Sequence, residues 1–158
     1  MCRYQVAFYK GRKEGKGIMP IIFRALDSLT RTVTKGPYSP YSHCEVVKVL
    51  PTGETECFSS SYRDGGVRSK ILSLDSDSWD LVDAPYLTAE AVEEVKRRTV
   101  GLKYDLVGAV GVVILSPNRP HKWFCSELAA EVIGLKEPWR YSPNTLYSVV
   151  QRLEKDNG

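Results

Sequence analysis

Apolar and polar positions along the chain fall into two regimes. Short β-branched or aromatic runs broken by turn residues dominate as far as Val82, and helical spacing takes over from Thr88. Arg3 to Tyr9 (RYQVAFY) predicts a strand, followed by a polar, glycine-rich turn from Lys10 to Gly17. From Pro20 to Val33 the apolar residues Ile22, Leu26, Leu29 and Val33 recur at three- and four-residue steps, which predicts a helix with Pro20 near its first turn. The run Gly36-Pro37-Tyr38-Ser39-Pro40-Tyr41-Ser42 ends it, because two prolines remove donors and restrict the residues before them.

His43 to Leu50 predicts a buried strand, and Pro51 to Glu54 a turn into a second strand, Thr55 to Ser60. Asp64-Gly65-Gly66 is another turn, before a strand from Val67 to Leu72, and Asp80 to Val82 offers a further short one. The middle third is therefore expected to be an antiparallel meander. Thr88-Ala89-Glu90-Ala91 then starts a helix with Ala91, Val92 and Val95 inward and Glu93, Glu94, Lys96 and Arg97 outward. Three more helices are expected: Asp105 to Leu115, Cys125 to Ile133 and Asn144 to Leu153. Helices following strands make the expected class α+β. No repeat or linker divides the 158 residues, so a single domain over 1–158 is predicted.

Composition narrows the functional classes. Hydrophobic residues at 42% and charged residues at 26% supply an ordinary globular core. A formal net charge of +3 is too small to announce a nucleic-acid surface, so nucleic acid is not an expected partner; Arg97, Arg98 and Lys103 read as a solvated helix face. The apolar stretch from Leu106 to Leu115 is far short of the roughly 20 residues that span a bilayer, so no transmembrane segment is expected. The N-terminus resembles no secretory leader, so the chain is expected, as synthesised, in the reducing cytoplasm. The four cysteines, Cys2, Cys44, Cys57 and Cys125, form no CxxC pair and are expected as free thiols. With only His43 and His121 available, neither beside paired cysteines, no metal or cofactor is expected.

The sharpest candidate chemistry is Trp123-Phe124-Cys125-Ser126-Glu127-Leu128, which puts a cysteine where a loop turns into a helix. The unpaired amides and positive end of a helix stabilise a thiolate, although a small buried residue packed at the start of a helix is the other reading of this position. A thiol nucleophile needs a base. His43 begins a strand, and period-two alternation puts His43, Glu45 and Val47 on one face, with Cys44 on the other as a small core residue. The candidate catalytic set is then Cys125 as nucleophile, His43 as base and acid, and Glu45 as the carboxylate that sets the imidazole tautomer. His121, in the polar loop Asn118 to Lys122, competes as base but reads as solvated, and an exposed strand carboxylate is the lesser alternative for Glu45. Tyr41, Ser42 and Trp123 adjoin these residues and are the candidate substrate-binding positions, with core packing the alternative for the aromatic rings.

Four segments in order carry a resemblance: Tyr41-Ser42-His43-Cys44-Glu45-Val46-Val47, Asp64-Gly65-Gly66-Val67, Tyr104-Asp105-Leu106-Val107-Gly108 and Phe124-Cys125-Ser126-Glu127-Leu128. Together they resemble the circularly permuted NlpC-like papain-fold enzymes, which include the YiiX-like bacterial and phage proteins. In these the histidine precedes the cysteine, as His43 precedes Cys125 here. The resemblance implies a papain-like antiparallel sheet or barrel packed with helices, and a cysteine hydrolase acting on an amide such as a peptidoglycan stem peptide. It implies Cys125, His43 and Glu45 as the catalytic residues and a structural role for Tyr104, Asp105 and Gly108. A lipid acyl hydrolase or acyltransferase, or a catalytically silent binding module, are the alternatives. Phage association and release by lysis or injection would bring a leaderless enzyme to a cell-wall substrate.

Overall fold

A computed structural model describes residues 3–10, 41–111 and 121–157. The helix expected from Pro20 to Val33 lies outside these residues, as does the end of the one expected from Asp105 to Leu115. The described chain is α+β. Its seven strands are β1 (Arg3–Tyr9), β2 (His43–Val49), β3 (Thr55–Ser61), β4 (Gly66–Leu72), β5 (Trp79–Asp83), β6 (Lys103–Tyr104) and β7 (Lys122–Trp123). Its helices are α1 (Ala89–Thr99), α2 (Leu106–Gly111), α3 (Cys125–Ile133) and α4 (Pro143–Asn157), with a 3₁₀ turn at Pro138–Arg140.

The strands form one curled sheet in the order β5-β1-β2-β3-β4-β6-β7. The meander β2-β3-β4 is antiparallel as expected, but β5 pairs with β1 rather than β4. The sheet is also mixed rather than purely antiparallel, because β6 and β7 run parallel, Lys103 opposite Lys122 and Tyr104 opposite Trp123. Two-residue strands show no alternation, so β6 and β7 leave no periodic signal in the sequence.

Alternation divides the sheet into two faces. Tyr4, Val6 and Phe8 of β1, Cys44 and Val46 of β2, and Phe58 of β3 pack with Val92 and Val95 of α1, Leu128, Ala129 and Val132 of α3, and Leu146 and Val150 of α4. Ala7, Val47 and Cys57 belong to the opposite face, with Leu72, Leu74 and Trp79 against them. The α1 helix starts where predicted, its Thr88 hydroxyl accepting the Ala91 N–H at 3.2 Å. Val92, Val95 and Thr99 line its buried side. No helix among the described residues is long and apolar enough to cross a membrane.

The Asp64-Gly65-Gly66 turn brings β4 against β6. The Val67 N–H donates to the Leu102 carbonyl at 2.8 Å and the Tyr104 N–H to the Gly65 carbonyl at 3.2 Å. A Cβ on Gly66 would stand 2.0 Å from the Leu102 carbonyl oxygen, a main-chain atom with nowhere to go. Gly66→Ala is therefore expected to force β4 from β6 and lower the unfolding free energy by about 1–3 kcal/mol, the usual cost of overpacking. The shift in denaturant midpoint measures it, and an unchanged midpoint would mean that the two strands separate freely.

Candidate active site

Cys125 is the first residue of α3 and is 5% exposed. Three contacts hold the chain just before it. The strand β7 pairs with β6, the Ser60 hydroxyl donates to the Trp123 carbonyl at 2.6 Å, and the Asp105 N–H donates to the same carbonyl at 2.9 Å. Phe124 is extended, with φ −113° and ψ 167°, and the Glu127 side chain accepts its N–H at 3.4 Å. The first intrahelical bond runs from the Leu128 N–H to the Phe124 carbonyl, so the N–H groups of Cys125, Ser126 and Glu127 have no acceptor inside the helix. Those groups and the helix dipole face the Cys125 sulfur and favour negative charge there.

Residues of the third segment support this helix from behind. Asp105 precedes α2 and its Oδ1 accepts the Gly108 N–H at 2.9 Å. A Cβ on Gly108 would lie 2.4 Å from Asp105 Oδ2 and 3.3 Å from the Phe124 ring. Close packing at Gly108 thus ties α2 to the residue before Cys125. Glu127 lies largely buried beside Asp105 and Glu131, and its burial pushes its pKa up to about 8.

His43 opens β2 and its ring is partly buried, with Nε2 2.8 Å from Glu45 Oε1. The ends of β2 and α3 meet, so the His43 ring and the Cys125 sulfur lie close enough to shift each other's pKa, although the two elements pack through the other face of β2. With Nε2 on Glu45, the nitrogen left for the sulfur is Nδ1. Glu45 is 1% exposed, not the exposed strand carboxylate that was the alternative. The three residues singled out from the sequence as catalytic are thus brought together, His43 bonded to Glu45 and close to Cys125. His121 is exposed in a turn.

Two residues beyond the expected set belong to the site. The first is Arg68 of β4, whose guanidinium donates from Nη1 to Glu45 Oε2 at 2.5 Å and from Nη2 to Oε1. Its Nε donates to Asp64 Oδ2 at 2.8 Å, and Lys70 Nζ lies 2.7 Å from Asp64 Oδ1. The second is Cys44, which lies against Cys125 closely enough to lower the pKa of its thiol. Cys44 does lie on the opposite face of β2 from His43, fully buried, but that face is the one α3 covers. No local sequence signal marks either residue, since each reaches the site across the fold.

The charges follow from these contacts. Hydrogen bonds from the Cys44 thiol, and the charge and hydrogen bond of His43, hold the Cys125 pKa well below the ordinary thiol value against the opposing effect of burial. Burial alone would lower the His43 pKa, yet the facing Cys125 sulfur and Glu45 carboxylate carry it up to about 10. Burial would raise the Glu45 carboxyl, but the hydrogen bonds from Arg68 and His43 outweigh it and keep it below its ordinary range. The shifts of Cys125 and His43 both favour a Cys125 thiolate beside a His43 imidazolium. Burial raises the Cys44 thiol well above its ordinary value and pushes Cys57 up to about 12.

The expected substrate-binding residues lie differently. Tyr41 is 4% exposed, its ring packed against Phe8 and Tyr147 and its hydroxyl donating to Asp80. That corrects its assignment to a substrate groove: the ring belongs to the core. Trp123 is half-buried against the core, and its indole N–H has no hydrogen-bond partner among the described residues. The hydroxyls of Ser42 and Ser126, next to His43 and Cys125, are likewise buried without a partner among those residues. Arg97 pairs with Glu94, and Arg98 with Glu131. Among the described residues no group of His, Cys, Asp and Glu could hold a metal ion. In comparisons with protein-family models, with curated proteins and with solved structures, the chain matches none.

The pair has a pH signature in stability. Between the ordinary values of 6.5 for imidazole and 9.0 for a thiol, the unfolded pair carries one proton, on sulfur, and the folded pair also carries one, on His43. No proton is exchanged on unfolding there, so the contribution is flat. Below 6.5 the unfolded imidazole binds an extra proton and stability falls with falling pH. Above 9 the unfolded thiol loses its proton while His43 keeps its own up to about 10, so stability falls with rising pH. The difference in unfolding free energy between the native protein and the double variant Cys125→Ser/His43→Gln, which lacks both titrating groups, is therefore expected to be level from pH 7 to 8.5 and to shrink on both sides. Denaturant titrations across pH measure it, and a steady slope through neutrality would mean that no such ion pair forms.

Proposed function

We propose that this protein is a cysteine hydrolase that cleaves an amide or related acyl bond through Cys125, His43 and Glu45. The observation that supports it best is the meeting of a thiol at the start of α3 with an imidazole that is hydrogen-bonded to a buried carboxylate. The resemblance of the four sequence segments to the permuted NlpC-like papain-fold enzymes agrees with it. That resemblance favours peptide amides, the stem peptide of cell walls among them, as substrates.

The chemistry is acyl transfer in two halves. The Cys125 thiolate attacks the carbonyl carbon, and charge develops on the carbonyl oxygen near the first N–H groups of α3. As the C–N bond breaks, the His43 imidazolium gives its proton to the departing amine, leaving an acyl group on Cys125 Sγ. Water then attacks that thioester while neutral His43 takes its proton; the acid leaves and the thiolate–imidazolium pair returns. Glu45 stays ionised throughout and holds the ring with Nδ1 toward the sulfur.

Labelling with iodoacetamide and mapping by mass spectrometry test the nucleophile. At pH 6, Cys125 is expected to react at least tenfold faster than Cys57, and His43→Ala to remove most of that advantage. A p-nitrophenyl ester is expected to leave its acyl group on Cys125, and digestion of purified peptidoglycan to fall at least a thousandfold in Cys125→Ala. Equal labelling of Cys125 and Cys57, unaffected by His43→Ala, would refute the enzyme and leave a binding module.

A further inference from the structure

We infer that Arg68 is a positioning residue of this centre, acting on Cys125 only through Glu45 and His43 by clamping the Glu45 carboxylate in one plane. The inference rests on the hydrolase reading of Cys125, His43 and Glu45. It is carried by the geometry of four charged side chains on one face of the sheet.

A carboxylate held by His43 alone can swivel about its terminal torsion, since one hydrogen bond leaves that rotation free. Here both oxygens are taken by the two ends of one planar guanidinium, and Oε1 also receives His43. A fork of this kind fixes the plane as well as the position of the carboxylate, which a lysine cannot do. Arg68 is itself held at its third nitrogen by Asp64, and Asp64 by Lys70. The arginine is therefore built into the sheet before it meets Glu45.

The reach across the sheet is also built. Ser59 of β3 stands opposite Arg68 of β4, and β3 lies between β4 and the β2 strand that carries Glu45. Ser59 is small, and its hydroxyl donates to the Cys44 carbonyl at 2.7 Å, so no bulky side chain blocks the span. The Arg68 side chain is only 16% exposed and Glu45 only 1%, so their attraction is little screened by water.

The consequence for the nucleophile is a matter of where one proton rests. The signs alternate along the row: thiolate, imidazolium, carboxylate, guanidinium, carboxylate, ammonium. Without the guanidinium, a buried Glu45 is a stronger base and draws the His43 proton toward itself. The imidazolium charge opposite Cys125 then weakens, and the sulfur regains its proton at a higher pH. Arg68 hydrogen-bonds neither sulfur nor imidazole, so its chain of contacts to Cys125 runs through Glu45.

A double-mutant cycle read by the pH profile of Cys125 alkylation tests this. Iodoacetamide labelling of the native protein, Arg68→Met, Arg68→Lys, Glu45→Gln and Arg68→Met/Glu45→Gln is followed at Cys125 from pH 4 to 9, with an added cysteine peptide as the reference, because Arg68 also contacts the Cys57 carbonyl. Arg68→Met is expected to slow Cys125 labelling at pH 6 tenfold or more and to move the midpoint of its profile up by at least one pH unit. In the Glu45→Gln background the same change is expected to alter the rate less than twofold. Arg68→Lys, which keeps the charge and loses the fork, is expected to fall between the native protein and Arg68→Met, and it carries the test if Arg68→Met does not fold. A native profile in Arg68→Lys, an unmoved profile in Arg68→Met, or an equal loss in both backgrounds overturns the inference. If Cys125 of the native protein reacts no faster than Cys57, the hydrolase reading itself has failed. If Cys125 is fast and depends on His43 while the Arg68 variants match the native protein, only the role of Arg68 has.

Discussion

A buried negative charge on Glu45 governs the arrangement around it. Taking a carboxylate out of water costs several kcal/mol unless other groups replace its hydration. Here the replacement is complete: a guanidinium on both oxygens and an imidazole on one. The Cys125 sulfur and this charge together favour protonated His43, and the Cys44 thiol with protonated His43 in turn favours an ionised Cys125 sulfur. Removing any one member leaves its neighbour buried and uncompensated, so the members of this row are energetically inseparable.

The secondary structure serves that row by placing element ends rather than element centres together. Cys125 is the first residue of α3 and His43 the first of β2, so the helix dipole and the end of the strand converge on one sulfur. The two faces of β2 divide the labour. Cys44 and Val46 anchor α3 through the core, while His43 and Glu45 face Arg68 on the other side. Gly66 and Gly108 lie where main chain or side chain approaches too closely for a Cβ, which lets β6 and α2 close up behind the nucleophile.

The parts of the fold legible in the sequence are those with local periodicity or capping. Strands β1 to β4 and helices α1 and α3 lie within a residue or two of where alternation, turn residues and the Thr88 cap put them. The parallel pair β6 and β7 was not legible, being two residues each, and neither was the pairing of β5 with β1, which depends on contacts between residues far apart in sequence. Tyr41 shows the same limit at the level of one side chain. Its position two residues before His43 suggests a substrate wall, but the packing of Phe8 and Tyr147 makes it core.

Alternation along β2 is enough to put His43 and Glu45 on one face and Cys44 on the other, and the loop-to-helix junction is enough to give Cys125 the positive end of a dipole. These follow from the chain's own sequence because they depend on backbone geometry within a single element. Only the tertiary structure decides that α3 lies over Cys44, that the ends of β2 and α3 meet, and that Arg68 reaches over β3 to Glu45. Such contacts depend on strand order, on register and on which face a helix covers. Those are set by the packing of the whole core, whose energy no local stretch of sequence contains.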